Sequence, residues 1–364
     1  MTSHTRGNVL SCALLFVIAT QANAQIVHRR GGNAPIDAQS IELLPEGVQL
    51  KRKSGATINV PWDMVRSVEG FASPSDKRLW LERYQPLAAD LWRARSRLQR
   101  GDARMAESLF ARHFDDVVEA HADSELKLIV AEGLLRARLA SGVIEGALPA
   151  ALETIRLRRA GITTSRYELL PPVIDMAWWI IPRLAPVATD RAQVMVLDEK
   201  LARWTSSEDA YVAALAQGYA RLGSGTKPET GAAGLGLELL GAALEAESDD
   251  AETRFQARAT LTALAEDEAA PAWVGAWRRW FLARSILLEE DGELDLALVE
   301  LLHIPAIHSQ SNAGLAARAV ALAAEHLNAA NRQRESARLR RELELSCADV
   351  APAIAAQQDA PETP

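Results

Sequence analysis

RGDARMAESLF, Arg100 to Phe110, is the stretch that decides how most of this chain folds. Gly101 stands where one run of helix-forming residues ends, Ala106 comes five positions later, and Phe110 four beyond that. Glycine takes the left-handed backbone conformation that stops a helix, and a residue as small as alanine lets the next helix cross close by. Phe110 lies one turn past Ala106 on the same face and fills the space beside the crossing. The spacing predicts two antiparallel helices joined by a tight turn. It returns at GVIEGA, Gly142 to Ala147, with Ala151 in the packing position, and at GELDLA, Gly292 to Ala297, with Leu301 there.

Outward from these turns the chain keeps one character from Ser75 on. Ala, Leu, Glu and Arg dominate, and apolar residues recur at intervals of three and four. Helices are expected over 76–99, 102–121, 124–141, 144–159, 171–184, 188–204, 207–222, 230–247, 250–267, 271–290, 293–302, 311–329 and 332–346. Ser75-Asp76, Asp123-Ser124, Ser206-Ser207, Ser248-Asp249 and Asn331 place short oxygen-bearing side chains at helix starts. Brief connections make successive helices antiparallel neighbours.

The glycine-turn, alanine-crossing pattern resembles the tetratricopeptide-repeat family. The likeness covers three turns, roughly a third of the body, and the copies depart from the family's regular period of about 34 residues. The closing proline of each unit is mostly absent, and 160–270 carries no clear copy. What the resemblance implies is a mostly α fold: an α-solenoid of antiparallel helix pairs over 75–347, whose surface binds a protein or peptide.

Ahead of the helices, 36–70 reads as a small β module. Ile41, Leu43, Val48, Leu50, Ile58 and Val60 alternate within short runs, and Pro45-Glu46-Gly47 and Lys53-Ser54-Gly55-Ala56 are turn signals. Strands are expected at 38–44, 47–53 and 56–60, then a short helix from Pro61 to Val68 with Trp62, Val65 and Val68 on one face. Over about 30 residues the pattern resembles small β-barrel or PH-like ligand modules. Residues 25–35 read as a linker, and 348–364, rich in Pro, Ala and polar residues, as a disordered tail.

The first 24 residues have the form of a cleaved leader: Arg6, the apolar run VLSCALLFVIAT from Val9 to Thr20, and Ala22-Asn23-Ala24 before a cut at Gln25. Export to a periplasm or the exterior is expected, with no stable membrane span afterwards. Cys12 falls in the leader, which leaves Cys347 as the one thiol of the mature chain and no internal disulfide. A net charge of −8 and a pI near 5.5 argue against nucleic-acid binding.

Catalytic and metal signatures are thin. His113 and Asp116 offer two ligands at best, and His303 and His308, five residues apart around Pro305, share no helical face. Leu222 to Glu229 lacks phosphate-loop spacing, Gly231 to Gly241 lacks the strand a dinucleotide motif needs, and no nucleophile-elbow motif occurs. No catalytic residue, metal or cofactor is assigned. The conspicuous cluster is Trp273, Trp277 and Trp280, at i, i+4 and i+7 on one helix face. Such a stripe packs against a neighbouring helix or, when exposed, anchors a ligand. It is the candidate partner-binding surface, whereas Trp178-Trp179-Ile180-Ile181 is expected in the core. The functional expectation is an exported interaction scaffold for another envelope or secreted protein or peptide. The alternatives are a glycan- or anionic-polymer-binding protein acting through the β module and its Lys51-Arg52-Lys53 run, or an enzyme acting on cell-wall material.

Overall fold

A computed structural model describes residues 25–346, apart from 121, 143, 187–190, 223, 229–230 and 290–291. The expected leader and the expected tail lie outside the described residues. The chain divides into two compact units, residues 1–86 and 87–364.

Among the described residues the first unit holds six strands: β1 (Gln25–Arg29), β2 (Ile36–Ala38), β3 (Ser40–Leu44), β4 (Gly47–Lys51), β5 (Thr57–Pro61) and β6 (Val65–Glu69). They form two antiparallel three-stranded sheets, ordered β2-β1-β6 and β3-β4-β5. Between β2 and β3 the Gln39 N–H still bonds to the Lys51 carbonyl at 2.7 Å, so one bent stretch serves both sheets. Val27, Ile36, Val48, Leu50, Val60 and Val65 are buried, which follows from their alternation along the strands. Two expectations are corrected. Residues 25–29, read as linker, are a strand paired on both edges. The helix expected from Pro61 to Val68 is one 3-10 turn, Trp62–Met64, followed by β6. Trp62 is fully buried: its indole N–H donates to the Pro45 carbonyl at 2.8 Å, and its ring stacks on Tyr84 with centroids 4.3 Å apart. Tyr84 and Trp80 flank a π-helical turn, Trp80–Tyr84, that follows α1 (Pro74–Leu79) and leads into α2 (Gln85–Gln99).

The second unit is helical: α3 (Ala103–Ala120), α4 (Glu125–Ala140), α5 (Ile144–Arg159), α6 (Arg191–Thr205), α7 (Ala210–Ala220), α8 (Leu235–Glu245), α9 (Ala251–Glu266), α10 (Ala272–Leu287), α11 (Leu294–His308), α12 (Ala313–Ala329) and α13 (Gln333–Ser346). From α3 on, each helix packs on the one that follows. Gly101 and Gly142 take the positive φ expected of them, at 82° and 79°, whereas Gly292, expected to do the same, does not. Ala106, Phe110, Ala147, Ala151, Ala297 and Leu301 are all buried at the hairpin crossings. Phe110 lies so close over α4 that a Cβ on Gly133 would fall 2.4 Å from its ring.

Several boundaries differ from expectation: the caps expected at Ser75-Asp76, Ser206-Ser207 and Ser248-Asp249 are instead Ser73, Asp209 and Asp250, and the helix expected from 230 begins at Leu235. Helix α11 runs on through Pro305 to His308, although proline removes one helical donor. Asn331 stands past the end of α12 at φ 61°, where it helps close that helix and does not start the next. Above all, the helix expected over 171–184 is absent. Residues 160–186 form turns and one isolated bridge, Asp175 to Ile180. Four prolines within sixteen residues, Pro171, Pro172, Pro182 and Pro186, remove backbone donors and push the preceding residues toward extended conformations.

Candidate functional site

The aromatic stripe of α10 leads to the most unusual part of the molecule. Trp273, Trp277 and Trp280 are 6%, 0% and 3% exposed, so the candidate partner surface is buried within the fold. Its occupant is the chain itself. The Trp273 indole N–H donates to Asp175 Oδ2 at 3.0 Å, and the Trp277 indole N–H donates to the Pro182 carbonyl at 2.9 Å. Trp178 meets Trp273 edge to face, with centroids 5.5 Å apart. Trp273 and Trp277 thus face an irregular segment where a helix is expected.

The segment Pro171–Leu184 is held by side chains from several helices. Arg136 of α4 donates to the Pro171 carbonyl at 2.7 Å. From α7, the Tyr211 hydroxyl donates to the Trp178 carbonyl at 2.8 Å and the Tyr219 hydroxyl to the Leu184 carbonyl at 2.6 Å. Asn312, just before α12, shares the Pro182 carbonyl with Trp277, its Nδ2 lying 3.0 Å away. In return Arg183 of the segment donates to the Leu139 carbonyl at 2.8 Å. Asp175 organises the turn, its Oδ1 accepting from the Ala177 and Trp178 amides. Burial pushes both the Tyr211 and the Tyr219 phenols upward, so each stays a donor at physiological pH.

Apolar anchoring accompanies these bonds. Trp178, Ile180, Ile181 and Leu184 are buried, while Leu169 just upstream is 93% exposed and Met176 is 50% exposed. Each buried anchor contributes roughly 1.5–3 kcal/mol, so the four together supply on the order of 6–12 kcal/mol as an upper bound. The hydrogen bonds, at about 0.5–1.5 kcal/mol each, add a contribution of similar order. Burial and bonding hold the segment together, and the bonds also set its path. Trp179 carries the strain of that path, at φ 50°, with the Arg159 guanidinium 5.3 Å over its ring.

The other expected groupings are structural. His113 pairs with Asp90 of α2 at 3.1 Å and not with Asp116. His308 is buried in α11, and burial with Arg279, His303 and Arg278 nearby lowers its pKa. Glu132 bridges Arg136 and Arg158, each at 2.7 Å. Among the described residues no group of three or more His, Cys, Asp or Glu side chains is placed to hold a metal. No described helix is long and apolar enough to cross a membrane.

Arg136, Tyr211, Tyr219 and Asn312 were missed by sequence reasoning. The legible signal was the run of prolines, which marks 171–186 as non-helical. The pairings themselves span from 33 to 130 residues and leave no local trace.

Fold and site together define a mostly helical protein with a small N-terminal β region. Comparison with family models, with curated proteins and with solved structures finds no match.

Proposed function

We propose that this chain is an exported interaction scaffold, its helical body a solenoid-type array of the tetratricopeptide kind that binds another envelope or secreted protein or peptide. The observation that carries the proposal is the grip on Pro171–Leu184. Donors from α4, α7, α10 and the start of α12 converge on the carbonyls of one irregular segment. Carbonyls are common to every residue, so side chains that read them suit the backbone of a peptide. Helix-on-next-helix packing and the small buried residues at the glycine turns support the array reading.

A second reading rests on the hairpin between β4 and β5. Lys51, Arg52 and Lys53 are exposed there, in a turn closed by the bond from the Gly55 N–H to the Arg52 carbonyl at 2.9 Å. Three neighbouring exposed cations suit an anionic polymer.

The test is affinity capture with residues 25–364 as bait on a detergent-solubilised envelope extract, alongside a bait carrying alanine at 51, 52 and 53. A protein retained equally by both supports the scaffold. Anionic polymer retained by the first alone supports the hairpin reading. Nothing retained by either contradicts both.

A further inference from the structure

Lys127 stands in the first turn of α4 and is only 4% exposed. Its amine has no hydrogen-bond or ion-pair partner among the described residues. A charged group taken so far out of water is costly unless an acceptor meets it, and such a group in a folded protein calls for an explanation. Burial pushes this ammonium below the usual lysine range, against the pull of Glu153 and Asp123.

The carboxylates that face Lys127 are already taken. Glu153 of α5, 2% exposed, accepts from Arg156 Nη2 at 2.7 Å and Arg156 Nε at 3.1 Å, and from the Trp204 indole N–H at 3.0 Å. Asp123 accepts from the two terminal nitrogens of the same arginine, at 2.6 Å and 2.9 Å. Glu125, in the same turn as Lys127, accepts from the Thr164 hydroxyl at 2.9 Å. Arg203 of α6 brings a further cation close to Lys127. It donates to the Val118 carbonyl at 2.7 Å and meets no carboxylate among the described residues.

Three cations, Lys127, Arg156 and Arg203, thus face two carboxylates, Glu153 and Asp123, and Arg156 binds both. One positive charge is left over, carried between Lys127 and Arg203. The start of α4 adds to it. Ser124 Oγ accepts from the Lys127 N–H at 3.4 Å, while the N–H groups of Glu125 and Leu126 have no acceptor within the helix, and the helix dipole is positive at this end.

We propose that Lys127 and Arg203 hold a small oxyanion, a carboxylate or a phosphate, at the start of α4. One surplus positive charge suits one negative charge, and the oxygens of such an ion can meet the ammonium and the guanidinium together. Arg156 is a positioning residue here: by binding Glu153 and Asp123 it keeps both carboxylates from closing on Lys127. The site goes beyond the scaffold reading and is separate from the β4–β5 hairpin.

Nuclear magnetic resonance of the mature chain, residues 25–364, with 13C-labelled lysines tests this. Lys127→Met or Lys127→Gln assigns the signal; should neither fold, titration below the usual lysine range identifies it. Sodium phosphate and sodium acetate are added separately, into the tens of millimolar, against sodium chloride at equal ionic strength. The Lys127 Cε signal is expected to shift saturably, and the salt that moves it tells phosphate from carboxylate. Arg203→Gln, at an exposed position, is expected to weaken that binding about tenfold. A Lys127 signal that moves no further than in chloride would overturn the proposal. So would saturation unchanged by Arg203→Gln, or saturable shifts confined to Lys51 and Lys53, which would put the anion on the hairpin.

Discussion

Asn312 allows the contribution of the segment contacts to be separated from ordinary helix stability. Its carboxamide does two jobs: Oδ1 accepts from the Leu315 N–H at 3.2 Å and caps α12, while Nδ2 donates to the Pro182 carbonyl at 3.0 Å. Replacement by serine keeps an oxygen for the cap and removes the donor. The Pro182 carbonyl retains Trp277, so no acceptor is orphaned and the expected cost is about 0.5–1.5 kcal/mol. Replacement by alanine removes the cap as well, adding about 1 kcal/mol. At roughly 2–4 °C per kcal/mol, Asn312→Ser lowers Tm by about 1–6 °C and Asn312→Ala by about 3–10 °C. Thermal melts of residues 25–364 followed by near-ultraviolet circular dichroism report on the buried tryptophans directly. If the serine variant melts with the unaltered protein while the alanine variant falls, the bond to Pro182 contributes nothing and the reasoning fails.

Further outcomes follow from other parts of the molecule. Gly236→Ala drives a Cβ into the Trp178 carbonyl and the Tyr211 hydroxyl, and should cost about 1–3 kcal/mol in urea denaturation; an unchanged midpoint would show that α8 and the segment do not touch. Trp62→Ala removes a fully buried ring from a small β unit near the lower limit of stability, at about 3–5 kcal/mol. Amide protection over 25–69 should collapse while far-ultraviolet helicity is largely kept, and loss of both together would contradict this. Burial lowers the pKa of His308 and of His326 below 6.5. Groups depressed in the folded state give stability that is present above pH 6.5 and lost as pH falls through their folded values. The urea midpoint should therefore drop between pH 7 and pH 5, and drop less in a His308→Gln, His326→Gln protein; equal slopes would refute the assignment.

The parts of the fold legible in advance were those governed by local rules. Gly101 and Gly142 announce their turns because few other residues take that φ cheaply, and Ala106 and Ala147 announce close crossings because bulk is excluded there. Strands β3 to β5 were legible through alternation and turn residues. Their partners were not. QIVHR is short and follows directly on the expected leader, and Val65 and Val68, three apart, suit a helix as well as a strand entered from a 3-10 turn. The same ambiguity hid the segment at 171–184. AWWIIP is apolar on all sides, and periodicity cannot separate a buried helix from another buried apolar run. Its prolines were the better guide. The Trp273, Trp277 and Trp280 face was legible as a face, but what covers it depended on that misread segment. Tyr211, Tyr219 and Asn312 look like any helical residues until tertiary folding sets carbonyls before them.

Protection of the tryptophan indole N–H groups tests most directly whether the helical body holds this segment. In a 15N spectrum of residues 25–364, assigned with Trp273→Phe and Trp277→Phe, both indole protons are hydrogen-bonded to the segment, to Asp175 and to the Pro182 carbonyl. Slow exchange of both with solvent is the predicted result. Exchange of both at the rate of a free indole, in a protein whose helical amides remain protected, would mean the segment is not seated and would contradict the account.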